Sequence, residues 1–129
     1  MVKRRGKVQP LVLIIKDEEG LREILELNFR SAGYRVIVAA DGRTAWQEFE
    51  REGPDLLLLD LNLPQISGFR LLELVRSESN VPVLILTAYD FAEAEEVVRN
   101  RPDAFVKKPS DVQDLIRRAD HLVNRGSDQ

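Results

Sequence analysis

Apolar residues fall along this chain in two alternating modes. Residues 11–15, 56–59, 83–86 and 104–106 are unbroken apolar runs, and between them apolar positions recur every three or four residues. An unbroken run fits a strand buried on both faces, because a strand with one wet face would alternate apolar and polar residues. The spaced stretches fit amphipathic helices that lay one stripe against the sheet.

The elements follow in order. After a first strand at 11–15, Leu21, Ile24, Leu25 and Asn28 share one helical face. Asp17, Glu18 and Glu19 stand where acids complement the positive end of that helix, and Gly33 is placed to close it in the left-handed conformation. A second strand is predicted at 34–38. Asp41-Gly42 then opens a helix carrying Ala45, Trp46 and Phe49, and Gly53-Pro54 ends it. The third strand runs to Asp60, and Pro64 interrupts the chain before a helix with Phe69, Leu72 and Val75 on one side. The fourth strand is predicted at 81–86, a short polar helix carries Phe91, Ala94, Val97 and Val98, and the fifth strand covers 104–107. The last helix has the cleanest period, with Val112, Leu115, Ile116, Ala119, Leu122 and Val123 on one stripe. Repeated β-α units without long loops define a doubly wound α/β fold. Right-handed crossovers leave few topologies, but spacing alone does not give the strand order.

Each apolar run ends on a residue with chemistry to offer: Lys16-Asp17-Glu18, Asp60, Thr87 and Lys107-Lys108. In open α/β sheets the ligand crevice lies outside the carboxyl ends of the strands, so these groups should converge on one edge. Asp17 and Asp60 are hard oxygen ligands of the kind Mg²⁺ takes one or two of. Thr87 can donate a hydroxyl proton, and Lys108 brings a compact positive charge. Such a set suits phosphoryl transfer to an aspartate, with the carboxylate as in-line nucleophile and the cations and hydroxyl stabilising the equatorial oxygens.

Composition narrows the classes. The chain has 129 residues, 43% hydrophobic and 32% charged, which suits a single globular domain. It has no cysteine, which excludes disulfides and thiolate metal sites and agrees with a reducing, cytoplasmic setting. The net charge of −3 gives no footprint for nucleic acid. Lys3, Arg4, Arg5 and Lys7 precede the first apolar run, but that run stops at Lys16-Asp17-Glu18-Glu19, too soon for a signal peptide or a membrane span. Residues 1–9 read as a flexible basic tail, 10–125 as the domain and 126–129 as a C-terminal tail. His121, the single histidine, falls beside the apolar stripe of the last helix and reads as a solvated side chain, and Trp46 reads as packing.

With these motifs in place, the chain resembles a response-regulator receiver domain over residues 10–125. The resemblance rests on Lys16-Asp17-Glu18, on Asp60-Leu-Asn62-Leu-Pro64-Gln-Ile-Ser-Gly68, on Leu86-Thr87-Ala88 and on Phe105-Val-Lys-Lys108-Pro109, in that order. It implies a flavodoxin-like, five-stranded parallel sheet of order 2-1-3-4-5 flanked by five helices. It implies that Asp60 accepts phosphate from a histidine kinase or phosphotransfer protein. Asp17, Asp60 and the backbone carbonyl of Asn62 would bind Mg²⁺, with Glu18 close to the metal shell. Thr87 and Lys108 would hold the phosphoryl oxygens, Phe105 would be the aromatic switch, and the bond before Pro109 would be cis. Output to an effector domain or protein would run through the fourth helix, fifth strand and fifth helix, with a phosphorylation-dependent homodimer left open. Such a domain is a switch rather than a turnover enzyme. With no effector domain after Arg125, the chain reads as a stand-alone receiver or one excised from a longer protein.

Lys16 is the main departure, because the family usually has two adjacent acids at the end of strand one and Lys16 replaces the first. It either snorkels outward and leaves the site working, or pairs with Asp60, occupies the cation's place and makes the chain a phosphorylation-independent pseudo-receiver, an interaction module. Asn62 and Tyr89 stand where the family tunes water access to the phosphoryl group. Asn100-Arg101-Pro102-Asp103 replaces the usual Gly-Ala entry to strand five, and Ser110 stands where an aromatic is common and reads as a helix cap. Two other classes fit less well. A haloacid-dehalogenase-like phosphatase needs an acid where Asn62 stands, and a flavodoxin-like electron carrier needs a glycine- and hydroxyl-rich loop where Lys16-Asp-Glu-Glu stands.

Overall fold

A computed structural model of the chain describes residues 9–60, 67–87, 104–107 and 111–127. Strands β1 (Leu11–Ile15), β2 (Arg35–Ala39), β3 (Leu56–Asp60), β4 (Val83–Thr87) and β5 (Ala104–Lys107) form one sheet of order β2-β1-β3-β4-β5. Every pairing is parallel. Helices α1 (Glu19–Ser31), α2 (Gly42–Glu52), α3 (Gly68–Glu78) and a C-terminal helix (Val112–Ser127) flank it. The helix predicted around Phe91, Ala94, Val97 and Val98 lies outside the described residues.

The unbroken apolar runs have a direct structural cause. Successive side chains of a strand point to opposite faces, and here both faces are covered. Val12, Ile14, Leu56, Leu58, Leu84 and Leu86 pack with Leu25 and Phe29 of α1 and with Leu115, Ile116, Ala119, Leu122 and Val123 of the C-terminal helix. Leu13, Ile15, Leu57, Leu59, Val83 and Ile85 pack on the other face with Ala45 and Phe49 of α2 and Leu71, Leu72 and Val75 of α3. β1 and β3 lie inside the sheet, and all ten of their residues are buried. At the start of β3, Asp55 N–H donates to Leu11 O (2.7 Å) and Leu11 N–H donates back to Asp55 Oδ2 (2.8 Å). That reciprocal pair ties β1 to β3 before the ladder begins.

The turn chemistry predicted from sequence is present. Asp41 caps α2, its Oδ1 accepting from Thr44 N–H at 2.7 Å, and Gly53 ends the helix at φ 58°, a conformation L side chains rarely adopt. Gly33, at φ 99°, turns the chain after α1. Ser67 caps α3 through its hydroxyl. Trp46 stacks on Phe49 with ring centroids 5.5 Å apart and packs at the margin of the α2–α3 core. His121 is exposed.

Helix α1 departs from its predicted phase. Leu21 and Ile24 are about half exposed, at 47% and 48%, and the residues that reach the core are Leu25 and Phe29. The inward stripe is Arg22, Leu25, Phe29 and Ala32, one residue later than the sequence pattern places it. A polar residue at its head conceals it: Arg22 is half-buried and turns its guanidinium to the backbone at the end of β1. Strand β2 likewise begins at Arg35 rather than Tyr34. Tyr34 is drawn into the core, where its ring meets Phe29 edge-on at 5.1 Å and its hydroxyl donates to Asp120 Oδ1 at 2.8 Å. Among the described residues no helix is long and apolar enough to cross a membrane.

Candidate functional site

The parallel register brings the predicted groups to one edge. Ile15 of β1 lies opposite Leu59 of β3, so Lys16 and Asp60, one residue further on, stand side by side. Asp60 is also opposite Leu86, which places Thr87 at the end of the next strand, and Thr87 in turn pairs with Lys107. Backbone register therefore gathers the ends of β1, β3, β4 and β5. Phe105 lies in β5 opposite Ile85. Asn62, Tyr89, the Asn100-Arg101-Pro102-Asp103 entry, Lys108, Pro109 and Ser110 lie outside the described residues.

Lys16 points into this edge. Its Nζ lies 2.8 Å from Asp60 Oδ2, and the two side chains are only 8% and 2% exposed. Of the two readings left open by the sequence, snorkelling and pairing with Asp60, the structure has the pairing. Lys16 Nζ also lies 3.9 Å from Asp17 Oδ1, a looser contact to a carboxylate whose side chain is 46% exposed. Lys16 and Asp60 are the buried charged residues among those described. Each alone would be costly in an apolar surrounding, and contact between them offsets much of that cost.

The backbone around Lys16 is held at both ends. Its N–H donates to Ala39 O at 3.0 Å, extending the β1–β2 ladder by one residue. Its carbonyl accepts from Arg22 Nη1 at 3.1 Å, and the same nitrogen donates to the Asp17 carbonyl at 3.2 Å. Sequence reasoning did not single out Arg22. The apolar pattern hid it by placing the inward stripe of α1 one residue earlier, although Arg22 stands three residues before the buried Leu25.

Glu18 is committed to the helix. Its carboxylate accepts from Leu21 N–H at 2.9 Å and from Gly20 N–H at 3.2 Å, which makes it the cap of α1. A divalent cation between Asp17 and Asp60 would meet the Lys16 ammonium, which lies 3.9 Å from one carboxylate and 2.8 Å from the other and repels it. No group of three His, Cys, Asp or Glu able to hold a metal ion is found among the described residues. With Lys16 in this position the described donor set does not fit a divalent cation.

Known proteins share this fold. The model of the response regulator receiver domain matches residues 12–120. The sensory transduction protein RegX3 of Mycolicibacterium smegmatis is 41% identical over 119 residues, covering 91% of this chain and 52% of that protein. A probable transcriptional regulator, ycf27, of Porphyridium aerugineum is 36% identical over 115 residues, covering 88% of this chain and 48% of that protein. The chain thus spans about half the length of the curated relatives it matches. Among solved structures, the receiver domain of the Francisella response regulator 1452 superposes with a TM-score of 0.86 at 29% identity, covering 92% of this chain and 99% of that one. The receiver domain of the sensor histidine kinase PA1611 from Pseudomonas aeruginosa, solved with magnesium in its active-site cleft, gives 0.81 at 28% identity, covering 89% and 98%. With the sheet order, the buried aspartate at the end of β3 and the family match all in agreement, this chain belongs to the response-regulator receiver domains of two-component signalling.

Proposed function

We propose that this domain takes a phosphoryl group from a histidine kinase or phosphotransfer protein onto Asp60 and relays the change to an effector. The observation that carries this reading is the placement of Asp60. It is a buried carboxylate at the carboxyl end of an interior strand, beside the Lys16-Asp17 end of β1 and one strand from Thr87. An Asp60 oxygen attacks the phosphorus, the P–N bond of the donor phosphohistidine breaks, and its electron pair stays on the imidazole. Thr87 and Lys108 are the groups proposed to hold the phosphoryl oxygens, and Phe105 the residue that carries the change toward the face of the fifth strand and C-terminal helix. Mg²⁺ would supply charge neutralisation in this chemistry and would meet Asp17 and Asp60, the two carboxylates against which Lys16 already stands. The names of the curated relatives favour an effector that acts on transcription.

The buried Lys16–Asp60 contact favours a second reading, a phosphorylation-independent pseudo-receiver held in one state as an interaction module. Intact-mass spectrometry after incubation with acetyl phosphate and Mg²⁺ separates the two, with Asp60→Asn as control. A gain of one phosphoryl mass in the unmutated chain and none in Asp60→Asn is expected. No adduct, under conditions that label an ordinary receiver, would favour the pseudo-receiver. An adduct that persists in Asp60→Asn would overturn the site assignment.

A further inference from the structure

We infer that the Lys16 ammonium is the resident cation of this site and stands in for a divalent metal, so that Asp60 is phosphorylated without one. The inference rests on the reading of Asp60 as the acceptor and adds to it how the acceptor is charged and regulated.

Three observations carry it. The first is position: Nζ lies 2.8 Å from Asp60 Oδ2 and 3.9 Å from Asp17 Oδ1, so the ammonium stands against the two carboxylates a metal would join. The second is burial and fixation. The side chain is 8% exposed, Ala39 O holds the residue's N–H, and Arg22 holds its carbonyl, so the ammonium is a built part of the edge and not a surface lysine that happens to reach in. Charge is the third. Lys16, Asp17 and Asp60 together carry −1. An acid in place of Lys16 would make that −3, and one dication would bring it back to −1. The lysine therefore reaches without metal the charge that an acid at this position reaches only with metal.

The chemistry balances with the residues present. With acetyl phosphate as donor, an Asp60 oxygen attacks phosphorus, the bond from phosphorus to the acetate oxygen breaks, and the electron pair leaves with acetate. The acyl phosphate formed carries more negative charge than the carboxylate it replaces. An ammonium has three N–H donors and can serve a carboxylate oxygen and phosphoryl oxygens together. Arg22 is a positioning residue in this scheme, since its hydrogen bonds among the described residues go to the backbone of Lys16 and Asp17.

The test compares acetyl-phosphate labelling in excess EDTA with labelling in Mg²⁺, for the unmutated chain and for Lys16→Asp, and follows Mn²⁺ binding by the loss of free-ion EPR signal. The unmutated chain should label in EDTA within about twofold of its rate in Mg²⁺ and leave millimolar Mn²⁺ free, whereas Lys16→Asp should bind Mn²⁺ and lose about 100-fold in EDTA, the scale of one removed charge-stabilising contact. Labelling of the unmutated chain that requires Mg²⁺, or Mn²⁺ binding by it, would overturn the inference while leaving Asp60 as acceptor. No labelling in either medium would remove the acceptor reading and this inference with it. The unmutated chain decides both points even if Lys16→Asp folds poorly, and Lys16→Gln supplies a second variant.

Discussion

Replacing Lys16 with methionine keeps most of the unbranched stem and removes only the ammonium, which makes it the sharpest probe of the buried pair. In the folded chain it would leave Asp60, 2% exposed, without the Nζ that lies 2.8 Å from its Oδ2. Removing one partner of a buried ion pair costs about 3–5 kcal/mol, because the other charge remains desolvated. The low end applies, about 3 kcal/mol, since Asp17 beside the gap is half exposed and water can approach from that side. For a domain of 129 residues this corresponds to a fall in Tm of roughly 10 °C. Urea unfolding followed by far-UV circular dichroism reads the change directly.

Two further measurements bear on the same pair. The double substitution Lys16→Met/Asp60→Leu replaces both charges by apolar groups and should recover most of the loss, since apolar replacement of a buried pair is often neutral or better. A dication that enters once the lysine is gone should also restore stability, by about 1.4 kcal/mol at ten times its Kd. A cost for Lys16→Met below about 1 kcal/mol, the level of an exposed salt bridge, would mean that the ammonium does not hold Asp60 in solution. Strict additivity in the double mutant would say the same.

Other expectations follow from groups away from the site. Tyr34→Phe removes a part-buried hydrogen bond to a carboxylate, Tyr34 to Asp120 at 2.8 Å, and should cost about 1.5–3 kcal/mol in urea unfolding, mostly by loosening the C-terminal helix. A loss indistinguishable from zero would place that hydroxyl in water. The Glu78 carboxyl is raised above its ordinary range, first by its hydrogen bond with Glu50 across α2 and α3, then by desolvation and by the repulsion of Glu50. A raised carboxyl contributes stability below its unfolded pKa and loses that contribution as pH rises through the folded value. Glu78→Gln should therefore raise the unfolding midpoint at neutral pH and show no gain below the ordinary carboxylate range, and an equal gain at both would refute the pairing. Gly53→Ala should destabilise by about 1 kcal/mol, because φ is 58° while nothing lies within 4 Å of the added methyl.

Much of the fold could be read from the residues because hydrophobic burial on both sheet faces leaves unbroken runs at 11–15, 56–59 and 83–86, and runs this short have the length of strands rather than helices. The C-terminal helix was equally legible, since its buried Leu115, Ile116, Ala119, Leu122 and Val123 all lie on the predicted stripe. Strand order was not in the spacing and entered through the family resemblance. Tyr34 was placed at the start of the second strand, yet its burial comes with a contact to Asp120 that is 86 residues away in sequence. At the site, the sequence named Lys16, Asp17 and Asp60 and left the direction of the lysine open. That direction depends on the β1–β3 register and on Arg22, neither of which a local pattern contains.

The errors of pattern reading have a common origin. A binary pattern assigns polar residues outward, so it fails where a polar residue is held inward, and in this chain that happens at Lys16, Arg22 and Asp60. Arg22 displaced the apparent phase of α1 by one residue, and Lys16, just past the predicted end of β1, still donates its N–H to Ala39 O. All three converge at the carboxyl end of β1 and β3, and they are linked: Arg22 fixes the backbone that aims Lys16, and Lys16 meets Asp60. Places where local preference and burial disagree are where proteins carry function or strain. Here the disagreement marks the carboxyl edge of β1 and β3 without reference to any relative, and it marks Lys16 and Arg22 along with Asp60. The lysine is thus better understood as a component of the site than as damage to it.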